Sequence, residues 1–93
     1  MIYLYILYSE KADQYYVGHT ADLEDRLHRH NEGKSRATSK GVPWQVKVSI
    51  PFESRSAAMS AERWVKRMKS RRVIEEVISG EIDLPDRTQN SMC

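Results

Sequence analysis

Cysteine is almost missing from this 93-residue chain, and the single one, Cys93, is its last residue. One thiol closes no internal disulfide and builds no cysteine-ligated metal cluster, and such scarcity agrees with a reducing cytoplasm. Long apolar runs are missing as well. No stretch approaches the ~18 residues that a membrane-spanning helix needs. Residues 1–8 lack the basic start of a secretory signal. The expectation is a soluble, cytoplasmic protein without membrane contact. Neither a Walker A loop nor a Gly-x-Gly-x-x-Gly turn occurs, and there is no His-Glu-x-x-His helix or serine-triad context.

What is present suffices for one small domain. Apolar residues make up 40% of the chain and charged residues 30%, a balance of folded rather than disordered proteins. Ninety-three residues lie near the lower end of what one core stabilises unaided. The net charge of +2 hides a division along the chain. Arg26 to Arg72 carries thirteen Lys and Arg against Glu32, Glu53 and Glu62, a surplus of +10. Val73 to Cys93 carries one Arg against five acids, a balance of −4. A concentrated basic stretch suits a polyanion, because neutralising phosphates releases condensed counterions. The plainer reading is a solvated helix face.

Residues Ile2 to Tyr8 are β-branched, aromatic or leucine throughout and predict a strand with both faces partly covered. Ser9 to Gln14 is polar and predicts a turn. Tyr15 to Gly18 then resumes the strand as an antiparallel hairpin that ends at the glycine. Thr20 or Asp22 can cap a first helix, whose early acids Asp22, Glu24 and Asp25 suit the helix dipole and whose Leu23 and Leu27 share a face. It stops near Asn31 or Gly33, before the basic loop Lys34 to Pro43. Trp44 to Phe52 predicts a third strand with Val46, Val48 and Ile50 on one face, near an edge because of Pro51. Ser54 or Ser56 caps a second helix running to Lys69 with an apolar stripe of Ala58, Ala61, Val65 and Met68. Arg71 to Ser79 reads as a short third helix, and residues 81–93 as a polar, flexible tail behind a domain of residues 1–80. The fold class is α+β, a small three-stranded antiparallel sheet flanked by helices in β-β-α-β-α-α order.

Several residues could carry chemistry, and each has a plainer reading. Tyr5 and Tyr16 fall in the two hairpin strands, where cross-strand aromatic pairs also stabilise sheets. Arg26 and His30 stand four apart on the first helix, a fixed cation beside a group that exchanges protons near neutral pH, or two residues of a solvated basic surface. Glu62 is the only acid between Arg55 and Arg72. It fits a lone carboxylate ligand for a hard cation, since Mg²⁺ binds through one or two carboxylates with waters and phosphate. It fits equally an i,i+4 pair with Lys66. Trp44 and Trp64 read as core or core-edge residues ahead of base-stacking platforms.

Together, Tyr3-Leu4-Tyr5, the gap to Tyr16-Val17-Gly18, Asp22 to Leu27, His30-Asn31, and Phe52 to Arg72 with its Glu62 resemble the GIY-YIG nuclease family. The resemblance spans residues 2–79 and is closest to short stand-alone members. Larger relatives include homing endonucleases and the incision subunit of bacterial DNA repair by nucleotide excision. It implies an endonuclease with one Mg²⁺ or Mn²⁺ held by Glu62. Tyr16 would contact the nucleophilic water or relay its proton, with Tyr5 as the other candidate. Arg26 would steady the scissile phosphate, and His30 would transfer a proton or hold a phenol. Gly18 would admit the phosphate closely, while Lys34, Lys40 and Lys66 would track the nucleic acid, in the first place DNA. The first motif carries Tyr3 where the family's name glycine stands, and Asn90 in the tail takes no role. Nothing outside the domain resembles a DNA-targeting module, so sequence preference would be weak or come from a partner protein. Monomer and weak dimer both stay open. The alternatives to a nuclease are a nucleic-acid-binding module with little cleavage, and a structural interaction domain.

Overall fold

The computed structural model describes residues 1–33 and 38–84. Strand β1 (Ile2–Ser9) pairs antiparallel with β2 (Gln14–Thr20) and with β3 (Gln45–Phe52), giving the sheet order β2-β1-β3. Helix α1 (Leu23–Asn31) follows β2, a 3₁₀ turn (Ser39–Gly41) precedes β3, and α2 (Arg55–Met68) and α3 (Arg71–Ser79) complete the described chain. This is the expected α+β fold. The expected edge position of β3 holds: it accommodates Pro51 because an edge strand has one side free of ladder bonds.

Alternation along β1 builds two cores. Leu4 and Ile6 face α2 and α3, where Val17, Ile50, Phe52, Ala58, Ala61, Val65, Val77 and Leu84 close around them. Tyr5 and Leu7 face the other way, toward Trp44, with Leu23 and Leu27 of α1 packed beside them. The domain is thus a sheet with α2 and α3 on one face and α1 with the segment leading into β3 on the other. Phe52 and Leu4 are fully buried. Replacing Phe52 with alanine is expected to cost about 3–5 kcal/mol, read from urea unfolding at fixed pH.

Three local expectations are corrected. Strand β2 does not end at Gly18; it continues to Thr20, because His19 and Thr20 pair with Leu4 and Tyr3. Val46 does not share a face with Val48 and Ile50. A register shift between Ile6 and Leu7 inserts an extra residue in β3, so Val46 turns toward the Tyr5–Trp44 core. Met68 does not continue the α2 stripe. It is 44% exposed, since α2 ends there, Lys69 turns left-handed, and Val73, Ile74 and Val77 of α3 take over the covering of the core.

The caps are single side chains: Asp22 accepts from the Asp25 backbone N–H, Ser54 from that of Ala57, and Ser70 from that of Val73. The hairpin turn is tied to α3. Asp13, at φ 51°, accepts hydrogen bonds from Tyr8 Oη at 2.6 Å and Arg71 Nη2 at 2.7 Å. Beyond Gly80, Ile82 and Leu84 pack on the core, and Leu84 is 2% exposed.

Candidate active site

Edge strand β2 has one neighbour, so side chains from both of its faces can meet around its open side. Tyr16 and Gly18 point to the α1 face, while Tyr15, Val17 and His19 alternate toward α2. Tyr5 lies opposite Gly18 in the ladder and Tyr16 opposite Leu7, so the two phenols are diagonal neighbours with ring centroids 6.3 Å apart. Gly18 makes this arrangement possible for a reason the sequence does not disclose. A Cβ built there would stand 2.6 Å from Tyr5 Oη and 2.8 Å from its Cζ, so the phenol lies over the glycine. Gly18→Ala is expected to expel the Tyr5 ring and destabilise the fold by about 1–3 kcal/mol. Urea unfolding, with the Tyr5 ring resonances followed by NMR, checks both effects.

His30 anchors the buried end of the site. It is 2% exposed and the Tyr5 phenol 1%, and Tyr5 Oη sits 3.1 Å from His30 Nε2. The opposite ring nitrogen, Nδ1, sits 2.8 Å from Thr38 Oγ1. Burial, reinforced by the positive charge of Arg26, pushes the His30 imidazole below its ordinary range. A neutral imidazole has one donor and one acceptor nitrogen. Burial pushes the Tyr5 phenol up to about 12, aided by Tyr16 and opposed by Arg26. Tyr5 is therefore protonated at neutral pH and donates to Nε2, which leaves Nδ1–H to donate to Thr38. Unfolding exposes His30 to its ordinary pKa near ~6.5. The unfolded state then binds more protons than the native one as pH falls through that value. Stability is thus lost on acidification below about pH 6.5, and His30→Gln should flatten that part of the profile in unfolding titrations from pH 7.5 to 5.

The Thr38 segment is strapped in place. Asn31, at the end of α1, accepts from the Trp44 backbone N–H at 2.6 Å and donates to the Trp44 carbonyl at 3.2 Å. Trp44 Nε1–H donates to the Thr38 carbonyl at 2.8 Å. A Cβ on Gly41 would strike the Trp44 ring at 2.5 Å, so this turn also requires glycine. Tyr16 rests against His30 and the edge of Trp44, at centroid distances of 4.9 and 6.4 Å.

Glu62 comes from the other side of the sheet. Its Oε1 receives His19 Nδ1 at 2.6 Å and its Oε2 receives Lys66 Nζ at 2.6 Å. Burial alone would raise its carboxyl, but the hydrogen bonds and charges of His19 and Lys66 outweigh that and hold it below the usual carboxylate range. Lys66 Nζ also lies 5.8 Å from the Tyr16 ring centroid, which joins the carboxylate to the tyrosine face. A cavity of about 130 Å³ opens beside Glu62, bordered by His19, Met59, Arg63 and Lys66. Among the described residues no three His, Cys, Asp or Glu side chains gather as a metal cage. One ionised carboxylate beside a solvent-open cavity fits a hard, largely hydrated cation such as Mg²⁺ or Mn²⁺ rather than a structural zinc.

Tyr5, Tyr16, Arg26, His30, Glu62, Gly18 and Lys66 therefore gather at the β2 edge, Arg26 through its effect on both Tyr5 and His30. Lys40 is exposed on the 3₁₀ turn two residues after Thr38. Lys34 lies outside the described residues. Sequence reasoning missed His19 and Thr38. Strand parity was the signal for His19, since extending β2 past Gly18 sets it on the α2 face; nothing in the sequence ties Thr38 to His30.

A family model described as the GIY-YIG catalytic domain matches residues 1–74. A UPF0213 protein of Lactococcus lactis subsp. cremoris is 44% identical over 57 residues, 59% of this chain and 58% of that protein's length, so the match reaches less than two thirds of it. A UPF0213 protein of Streptococcus pyogenes serotype M5 is 42% identical over 71 residues, 74% of this chain and 75% of its own. The solution NMR structure of a UPF0213 protein from Bacillus halodurans is similar at a TM-score of 0.54 and 33% identity, covering 85% of this chain and 84% of that one. No helix among the described residues is long and apolar enough to cross a membrane. The family match runs from β1 into α3, through every element that supplies a side chain to the β2-edge cluster, and this chain belongs to the GIY-YIG catalytic-domain family.

Proposed function

We propose that this chain is an endonuclease that hydrolyses phosphodiester bonds in DNA with one Mg²⁺ or Mn²⁺ ion held by Glu62. GIY-YIG domains are nuclease domains, and their action on nucleic acid generally depends on a divalent metal. The observation that carries the reading is the convergence of two phenols, an imidazole and an ionised carboxylate around one strand edge.

Tyr16 is the better of the two phenols for the nucleophilic water. It is only partly buried, whereas Tyr5 is sealed in and its proton is committed to His30. In hydrolysis the water oxygen attacks phosphorus while one of its protons passes to Tyr16 Oη, which hands its own phenolic proton on to solvent. The bond from phosphorus to the leaving oxygen breaks, and that oxygen takes up a proton. Arg26 balances the charge on the phosphate oxygens, and Tyr5 with His30 holds the floor of the site rigid. A bound divalent ion supplies charge neutralisation and lowers the pKa of water. Lys40 and Lys66 contact the phosphate backbone, and a groove of about 490 Å³ running from Tyr16 and Lys66 past Lys69 offers it room.

One observation favours a second reading, a binding module with little cleavage: both Glu62 oxygens are already engaged within the chain. Metal removal separates the two. Under the nuclease reading, EDTA stops cleavage of plasmid DNA and excess Mn²⁺ restores it. Salt-sensitive binding that ignores EDTA, with no cut product at any metal concentration, fits only the binding module.

A further inference from the structure

Both oxygens of Glu62 are held at 2.6 Å, but by partners of unequal exposure. Oε1 faces His19, and both of these side chains are well covered, at 22% exposure for the histidine and 18% for the glutamate. Oε2 faces Lys66, which is 52% exposed. We propose that His19 is a positioning residue: it fixes Oε1 of Glu62 so that Oε2, held by the half-exposed Lys66 ammonium, is the place a divalent cation takes. This rests on the reading of Glu62 as the metal-holding residue.

Three features of the structure carry the inference. The histidine stands on a strand whose backbone is paired with Leu4, so its ring has a rigid base, whereas Glu62 reaches out from α2 on a flexible stem. A short Nδ1–H···Oε1 contact of 2.6 Å removes carboxylate rotamers before any cation arrives. Outer partners of this kind orient metal ligands, and their loss weakens metal binding. Finally, the cavity beside Glu62 is bordered by His19 itself, so the imidazole both aims the carboxylate and closes one side of the space left for a hydrated ion. Lys66 can leave without opening the protein, because its ammonium is already half in water and a backbone phosphate is a ready alternative partner.

The test is Mn²⁺ binding to the full chain by calorimetry and by electron paramagnetic resonance, on wild type, His19→Ala, His19→Asn and Glu62→Ala. Circular dichroism establishes that each is folded. His19→Ala is expected to weaken Mn²⁺ binding by about 10- to 100-fold. His19→Asn, whose amide N–H lies near the place of Nδ1–H, should return it to within a few-fold of wild type. Unchanged Mn²⁺ affinity in His19→Ala, while Glu62→Ala abolishes binding, overturns the proposal and leaves the metal site standing. So does an asparagine variant no better than alanine. A nitrogen hyperfine coupling on bound Mn²⁺ that His19→Ala removes also overturns it, since the imidazole would then be a ligand. Wild-type affinity in Glu62→Ala instead defeats the reading on which the proposal rests.

Discussion

Glu62→Gln is expected to abolish Mn²⁺ binding and to lower DNA cleavage by about a thousandfold or more, with the fold intact. A metal ion contributes several kcal/mol of transition-state stabilisation, and each ~1.4 kcal/mol is a factor of ten in rate. Glutamine nearly matches glutamate in shape and keeps a carbonyl for Lys66 or His19, so the change removes charge rather than bulk. The residue lies off the buried face of α2 and does not cap it. Losing one of the two charge-assisted pairs should lower the thermal midpoint modestly without unfolding the chain. Single-turnover cleavage at saturating protein gives the rate, and calorimetry gives the metal. A variant that cuts within tenfold of wild type would remove Glu62 from the site.

The second large effect separates the two tyrosines. Tyr16→Phe is expected to lower the cleavage rate by about 100- to 1,000-fold, the range in which a positioned proton-transfer group contributes. DNA affinity should stay within threefold. Stability should hardly change, because the ring and its contacts to His30 and Trp44 remain. Tyr5→Phe should do the reverse. It leaves His30 Nε2 buried without its donor, at a cost of about 1–3 kcal/mol, and slows cleavage less than the Tyr16 change does. If Tyr5→Phe kept full stability and lost more activity, the roles assigned to the two phenols would exchange.

Much of this was legible in the sequence because it depends on local chemistry. Caps, the turn after β1, the helix faces and the basic middle follow from side chains acting on their own neighbourhood. Tyr5 and Tyr16 come together once a hairpin is assumed, and Arg26 and His30 by helical spacing. The parts that stayed hidden depend on register. One residue of extra length in β3 moves Val46 to the other core, and no side chain announces it. His19 stays hidden while β2 is expected to end at Gly18; two more paired residues place it against Glu62. The glycine at position 18 is also the seat of the Tyr5 ring, which no local pattern shows. The Thr38–His30 contact joins a helix to a segment whose path is set by Asn31 and Trp44. Such a path is a tertiary fact with no local pattern.

The most direct test is cleavage of supercoiled plasmid, single-stranded and branched DNA by the purified chain with Mg²⁺ or Mn²⁺, with Glu62→Gln and Tyr16→Phe alongside. The account predicts cut product from wild type on at least one substrate, lost in both variants while both stay folded. Uncut DNA throughout, with wild type and both variants folded and binding it equally and in a salt-sensitive way, would contradict the nuclease and leave a nucleic-acid-binding domain in its place.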